Sequence, residues 1–201
     1  MVEIVMASQL KPPGSAETIP VPRRLITVAH TTAVDLVGRG VEERHRPRLR
    51  PQDARIKAAI TEGMGRSATF KALVDRIESS DVIVYVAMNP TIKSSLSGML
   101  TWMTQAGGFR YVRASISPDQ TFDQLIATIG HELQHALEVT EDAAVLDEKS
   151  LVALYRRIGV HNDAVAPALW ETAAAQQTGS QVRRELHAMP ALVASRAIGQ
   201  A

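Results

Sequence analysis

The sequence predicts an α+β domain: a small, twisted, mainly antiparallel sheet packed on one long helix, with further helices towards the C-terminus. Three observations carry this reading. Residues 82–87 are apolar on both alternating faces, as in a strand covered from both sides. Two stretches of extended character flank Gly107-Gly108, the pattern of a hairpin. From about Thr121 to Thr140, apolar residues recur at helical spacing.

Taken in order, residues 1–50 read as an extended or partly disordered N-terminal segment. Pro12, Pro13, Gly14, Pro20 and Pro22 interrupt it, and no periodic pattern lasts. Arg24 to Ala29 favours a short strand through Leu25, Ile26, Thr27 and Val28. From Val41 to Lys57 the chain is basic, with Arg44, Arg46, Arg48, Arg50, Arg55 and Lys57. It reads as a solvated linker; a nucleic-acid or membrane contact is the alternative, weakened because no aromatic residue is interleaved for stacking. The compact domain is expected over residues 51–190, followed by a tail over 191–201.

Pro51 and Asp53 suit a helix start, and Ile56, Ile60 and Met64 follow at helical spacing until Gly63 and Gly65 end the run. Ser67 is placed to cap a second helix carrying Phe70, Leu73, Val74 and Ile77, which ends near Ser79-Ser80-Asp81. The strand at 82–87 is closed by Asn89-Pro90. The hairpin pairs Met99–Thr104 with Phe109–Ser117. The polar face of its second arm (Tyr111, Arg113, Ser115) suggests an edge or rim strand. After the turn at Ser117-Pro118-Asp119 comes the long helix. Two more helices are expected, at Glu148–Arg157 and about Ala164–His187, with Gly159 and Pro190 as breakers.

The 201 residues suffice for one domain with a hydrophobic core; 45% are apolar and 21% charged, as in soluble globular proteins. A formal net charge of +1 gives no strong field for nucleic acid or an acidic partner. With no cysteine, disulfides and thiolate metal sites are excluded, so any metal must sit on His, Asp or Glu. No run of ~18 apolar residues occurs, so no transmembrane helix is expected. The short apolar run from Val2 to Met6 contains Glu3 and lacks the basic start and length of a signal peptide. A soluble protein is expected, its compartment and oligomeric state left open.

The chemistry concentrates in His131-Glu132-Leu133-Gln134-His135, an HExxH sequence on the long helix. With His131 at zero on a helical wheel, His135 lies at ~40° and Glu138 at about −20°. Phe122, Leu125, Ile126, Ile129, Leu133, Ala136 and Leu137 lie on the opposite side, so the histidines should face a cleft. Residues i and i+4 share a face, and two imidazoles there can reach one zinc ion (Zn2+). Glu132 lies ~100° round the helix, beside the ion, where it can accept a proton from an activated water. It is the candidate catalytic base. Gly130 leaves room for another segment to approach.

A catalytic zinc needs a third protein ligand. Glu171, on a separate segment able to pack across the cleft, is preferred. Glu141 is the next choice, and Glu138, Asp142, His161 and His187 stay in contention; Glu138 lies ~10.5 Å along the axis from His131, a poor reach. No glycine and third histidine follow His135 at the metzincin spacing, which excludes that variant.

The carrying residues of a family resemblance are Ser80–Val86, Ile126–Val139, Leu154–Gly159 and Trp170-Glu171-Thr172. Through them, about residues 53–188 resemble zincin metallopeptidases of the glutamate-ligand type. More closely, the chain is similar to a group of uncharacterised bacterial proteins regarded as zinc-dependent peptidases. The resemblance implies a zincin-like core with the sheet packed on the HExxH helix. It also implies His131 and His135 as ligands, Glu132 as general base, and a glutamate as third ligand without fixing which. Trp170-Glu171-Thr172 stands where better-known relatives carry an asparagine-glutamate signature.

The leading functional expectation is thus a zinc metallopeptidase, a hydrolase of peptide or protein substrates, with a substrate strand pairing along Phe109–Ser117. A non-catalytic metal- or peptide-binding module with the same fold is the alternative, and an interaction module built on residues 41–57 is a third. Tyr155 could donate to an oxyanion, but its spacing from Leu151 and Val152 favours simple packing. Arg156 and Arg157 read as a solvated face, and His30, His45 and His161 as peripheral.

Overall fold

The computed structural model describes residues 5–8, 46–92, 95–161 and 169–188. Their fold is α+β. The expected strand at 24–29 and the tail at 191–201 lie outside the described residues.

Local signals start the helices where side chains can satisfy free backbone N–H groups. Asp53 caps α1 (Ala54–Arg66) by accepting from the N–H of Ile56, and Ser67 caps α2 (Ala68–Glu78) by accepting from Phe70. Thr121 and Gln124 form a reciprocal capping box at the start of α3 (Phe122–Glu141), and Asp147 caps α4 (Glu148–Ile158). α1 runs past Gly63 and Gly65 to Arg66, because a helix tolerates glycine when its buried face is packed. The last helix, α5 (Ala173–Ala188), starts later than expected. Thr172 accepts from the N–H of Ala175, and the residues before it are extended.

Among the described residues, seven strands form one sheet: β1 (Val5–Ser8), β2 (Leu49–Pro51), β3 (Val82–Met88), β4 (Gly98–Ala106), β5 (Phe109–Ile116), β6 (Val160–His161) and β7 (Leu169–Glu171). Their order is β2-β3-β5-β4-β1-β7-β6. Three neighbouring pairs are antiparallel and three are parallel, so the sheet is mixed where a mainly antiparallel one was expected. The connection from β2 to β3 passes through α1 and α2, and such a crossover returns the chain in the same direction.

β5 is internal, paired with β3 on one side and β4 on the other, so the expected edge at Phe109–Ser117 is not free for a substrate strand. Its polar residues mark a sheet face, with Arg113 exposed, and not an edge. Arg110 on that strand is buried. It pairs with Asp81 and donates to the carbonyls of Val139 and Asp142, which satisfies the C-terminal end of α3.

The basic stretch also belongs to the fold from residue 46 onward. The Arg48 guanidinium lies 4.4 Å from the centre of the Phe109 ring, and its Nε donates to the Ser80 carbonyl. Arg50 donates to the Tyr85 hydroxyl, and Arg55 to the carbonyls of Pro118 and Gln120. These side chains hold β2 and α1 to their neighbours, which replaces the solvated-linker reading for this part.

α3 lies between the sheet and the other helices, touching β1, β3, β4 and β5 as well as α1, α2 and α5. Leu125, Ile126, Ile129, Leu133 and Ala136 are fully buried there with Phe70, Ile77, Val84, Leu100 and Val112. Among the described residues, no helix is long and apolar enough to cross a membrane.

Candidate metal centre

The histidines of α3 sit where the helical wheel puts them, but the face is covered. β7 and α5 close over it, leaving His131 5% exposed and His135 fully buried. Two glycines permit this approach. A Cβ on Gly130 would stand 3.1 Å from Val182 Cγ2, and one on Gly179 would stand 3.2 Å from His131 Cβ. The expectation that Gly130 makes room for another segment holds, and that segment is α5.

Glu171, at the end of β7, reaches both histidines. Its Oε1 lies 3.3 Å from His131 Nε2 and 3.5 Å from His135 Nε2. One candidate ligand atom from each residue lies within 4.8 Å of the others. An ion with bonds of ~2.0–2.1 Å and tetrahedral angles has ligands ~3.3–3.4 Å apart, close to both His–Glu distances. Both Nε2 atoms are buried, and neither makes a hydrogen bond. Buried polar atoms rarely stay so. Close contact without hydrogen-bond geometry is the arrangement of atoms aimed at a shared point. These three residues fit a metal ion.

The polar surroundings hold this arrangement. His135 Nδ1 lies 2.9 Å from Glu138 Oε2, a contact that fixes the ring with Nε2 facing Glu171. Glu138 Oε1 in turn accepts from the Thr172 hydroxyl at 2.6 Å. Thr172 follows Glu171 directly, so the group that braces the second histidine also locates the third candidate ligand. Sequence reasoning weighed Glu138 only as a ligand and missed Thr172. The signal for Glu138 was its place one turn beyond His135 on the same face; Thr172 had none.

Charge follows from the same contacts. Burial alone would lower the pKa of His135, but the carboxylates of Glu138 and Glu171 outweigh it and raise the value to about 10. For His131, burial prevails over Glu171, and its pKa falls below the usual value. Burial would raise Glu171, yet the two histidines bring it down to about 2, so it is an ionised carboxylate.

Glu132 is fully buried, near enough for its charge to act on His135, and its carboxylate meets the sheet at the start of β4. A Cβ on Gly98 would fall 2.6 Å from Glu132 Oε1, so only glycine leaves the carboxylate its place. Tyr155 is buried, stacks edge-on against His135 at 5.7 Å between ring centres, and donates to the His135 carbonyl at 3.0 Å. Burial, reinforced by Glu138 and Glu132, pushes its pKa well above the usual value, which keeps the hydroxyl a donor. It braces α3, as its packing reading anticipated.

The other candidate carboxylates beyond Glu138 are engaged elsewhere. Glu141 is exposed and pairs with Arg76, and Asp142 pairs with Arg157. His187 is exposed near the end of α5, and the backbone of His161 belongs to β6. His30 and His45 lie outside the described residues. The chain matches no protein-family model, no curated protein and no solved structure.

Proposed function

We propose that the protein is a zinc-dependent metallohydrolase of zincin-like fold that cleaves peptide bonds. The observation that carries this reading is the convergence of His131 Nε2, His135 Nε2 and Glu171 Oε1 on one point. Two imidazoles and one carboxylate suit zinc, and three protein donors leave a fourth position open, as hydrolytic zinc sites require.

A bound zinc would polarise a scissile carbonyl and make water acidic enough to act as a nucleophile near neutral pH. Glu132, one residue along the helix from His131, is the carboxylate that would take up a proton from the attacking water and return it to the leaving amine. Glu138 keeps His135 oriented, and Thr172 keeps Glu138 in place. A module that only binds metal needs the two histidines and Glu171. It does not need a second carboxylate buried on the same turn, whose desolvation is unfavourable to folding.

The test is metal analysis of the reconstituted wild type beside His131→Ala and Glu171→Ala, with hydrolysis profiled on a peptide library. Zinc should bind one per chain in the wild type and be lost in both variants. Glu132→Gln should keep zinc and lower hydrolysis by ~10²–10⁴-fold. No zinc in the wild type would sink the reading, and full occupancy in Glu171→Ala would remove the third ligand. Zinc without hydrolysis, here and in the strand-released chains described below, would leave a metal-binding module.

A further inference from the structure

The centre is bordered by a strand from the far end of the chain. β1 runs antiparallel to β4, with Met6 opposite Leu100, Ala7 opposite Met99 and Ser8 opposite Gly98. On its other side it runs parallel to β7, with Val5 opposite Leu169 and Met6 opposite Trp170. Both walls are part of the centre's surroundings. Gly98 is the residue against which the Glu132 carboxylate rests, and Trp170 immediately precedes Glu171. β1 also packs on α3, the helix that carries both histidines.

Among the described residues, β4 and β7 do not pair with each other; β1 is what joins them. Its four residues thus fill a slot one strand wide, whose two walls offer rows of backbone N–H and C=O groups. A slot of this kind recognises the backbone of an extended peptide, the mode in which a free sheet edge accepts an added strand. Forty residues of sequence, 9–48, separate β1 from β2, and β1 is joined to neither β4 nor β7 by a short connection.

We propose that Val5–Ser8 is a built-in occupant of this slot, standing where an extended peptide substrate would lie, so that the centre is latent until the strand leaves. The words "substrate" and "latent" rest on the peptidase reading; occupancy of the slot does not. Because the occupant is tethered, a free peptide competes against an effective concentration set by the tether, and not against the bulk concentration of a second molecule.

The experiment uses the full chain with Met6→Pro and Ala7→Pro. Successive residues of a strand direct their N–H groups to opposite neighbours, so between them the two prolines remove one donor facing β4 and one facing β7. Without metal, hydrogen exchange at 98–100 and 169–171 should quicken at least ~10-fold in the variants, while 82–86 and 112 stay protected. With zinc bound, removal of the metal by dipicolinate should also quicken, and peptide-library hydrolysis should rise at least ~10-fold. Unchanged exchange in both variants overturns the occupant whatever the hydrolysis shows. Faster exchange and faster zinc removal with no hydrolysis of any peptide leaves the occupant standing and overturns the peptidase reading. Should the prolines prevent folding, a protease site inserted after Gly14 and cut after folding opens the slot from a folded start, with the same two readouts.

Discussion

The two halves of the sheet differ in origin and in what they contribute. β2, β3, β5 and β4 come from residues 49–116, one continuous stretch closed by two helices and a hairpin. β1, β7 and β6 come from residues 5–8 and 160–171, brought together from distant parts of the chain. The first half supplies apolar platform, with Val82, Val84, Val86, Leu100, Val112 and Ala114 fully buried. The second brings Glu171 and Thr172 to the histidines. α3 spans both, apolar towards one and carrying the candidate ligands towards the other. The first half is stabilised by area removed from water, which tolerates small displacements; the second depends on polar atoms that must meet at set distances.

That division can be broken at Phe70, which gives the largest expected effect on stability. Its ring is fully buried against α1 and α3, close to Gly63 and Gly130. Phe70→Ala should destabilise the protein by ~3–5 kcal/mol in chemical denaturation, while the folded fraction still binds one zinc. A loss under ~1 kcal/mol would mean the platform is not packed as described. Loss of zinc from chains that remain folded would mean the two halves are not separable.

The same division governs what could be read from the sequence. Start signals at Asp53 and Ser67, the helical spacing from about Thr121, the apolar run from Val82, and the hairpin at Gly107-Gly108 are local, and the elements they start are where the residues placed them. His131 and His135 were legible because one helical period fixes their common face. Pairing partners depend on residues far apart, so the internal position of β5 and the insertion of β1 had no local signature. Glu171 can be preferred only on the argument that a separate segment gives better geometry, and its strand falls within the helix expected at about Ala164–His187. The covering of the histidines by α5 was foreshadowed by Gly130 and by the segment of Glu171, expected to pack across the cleft.

A smaller effect is expected where the second half is braced. Thr172→Val removes the hydroxyl that Glu138 accepts from and that caps the first turn of α5. Zinc affinity should fall ~10–100-fold in competition with a chelator, the size seen when a group behind a ligand is lost. Stability should fall by about 1 kcal/mol. Thr172→Ser should restore most of both. Wild-type affinity in Thr172→Val would show that Glu138 does not depend on this contact to orient His135.

The smallest expected effect lies where the halves are clasped. Glu185 on α5 accepts from the hydroxyls of Ser67 and Thr69 and from the Thr69 N–H, at the start of α2. Burial would raise its pKa from the usual 4.5, but these bonds and one from Gln181 outweigh it and bring the value to about 2. The folded-state pKa lies below the unfolded one, so this contribution is fully present above about pH 4.5 and fades as pH falls towards 2. Glu185→Gln should cost about 1 kcal/mol at pH 7 in urea unfolding. The gap between variant and wild type should narrow steadily at acidic pH. A gap that stays constant from neutral pH into this window would mean the carboxylate charge does not hold α5 to α2. The clasp would then rest on packing around Val182 and Leu186, and the second half would be tied to the first by the same apolar burial that builds the platform.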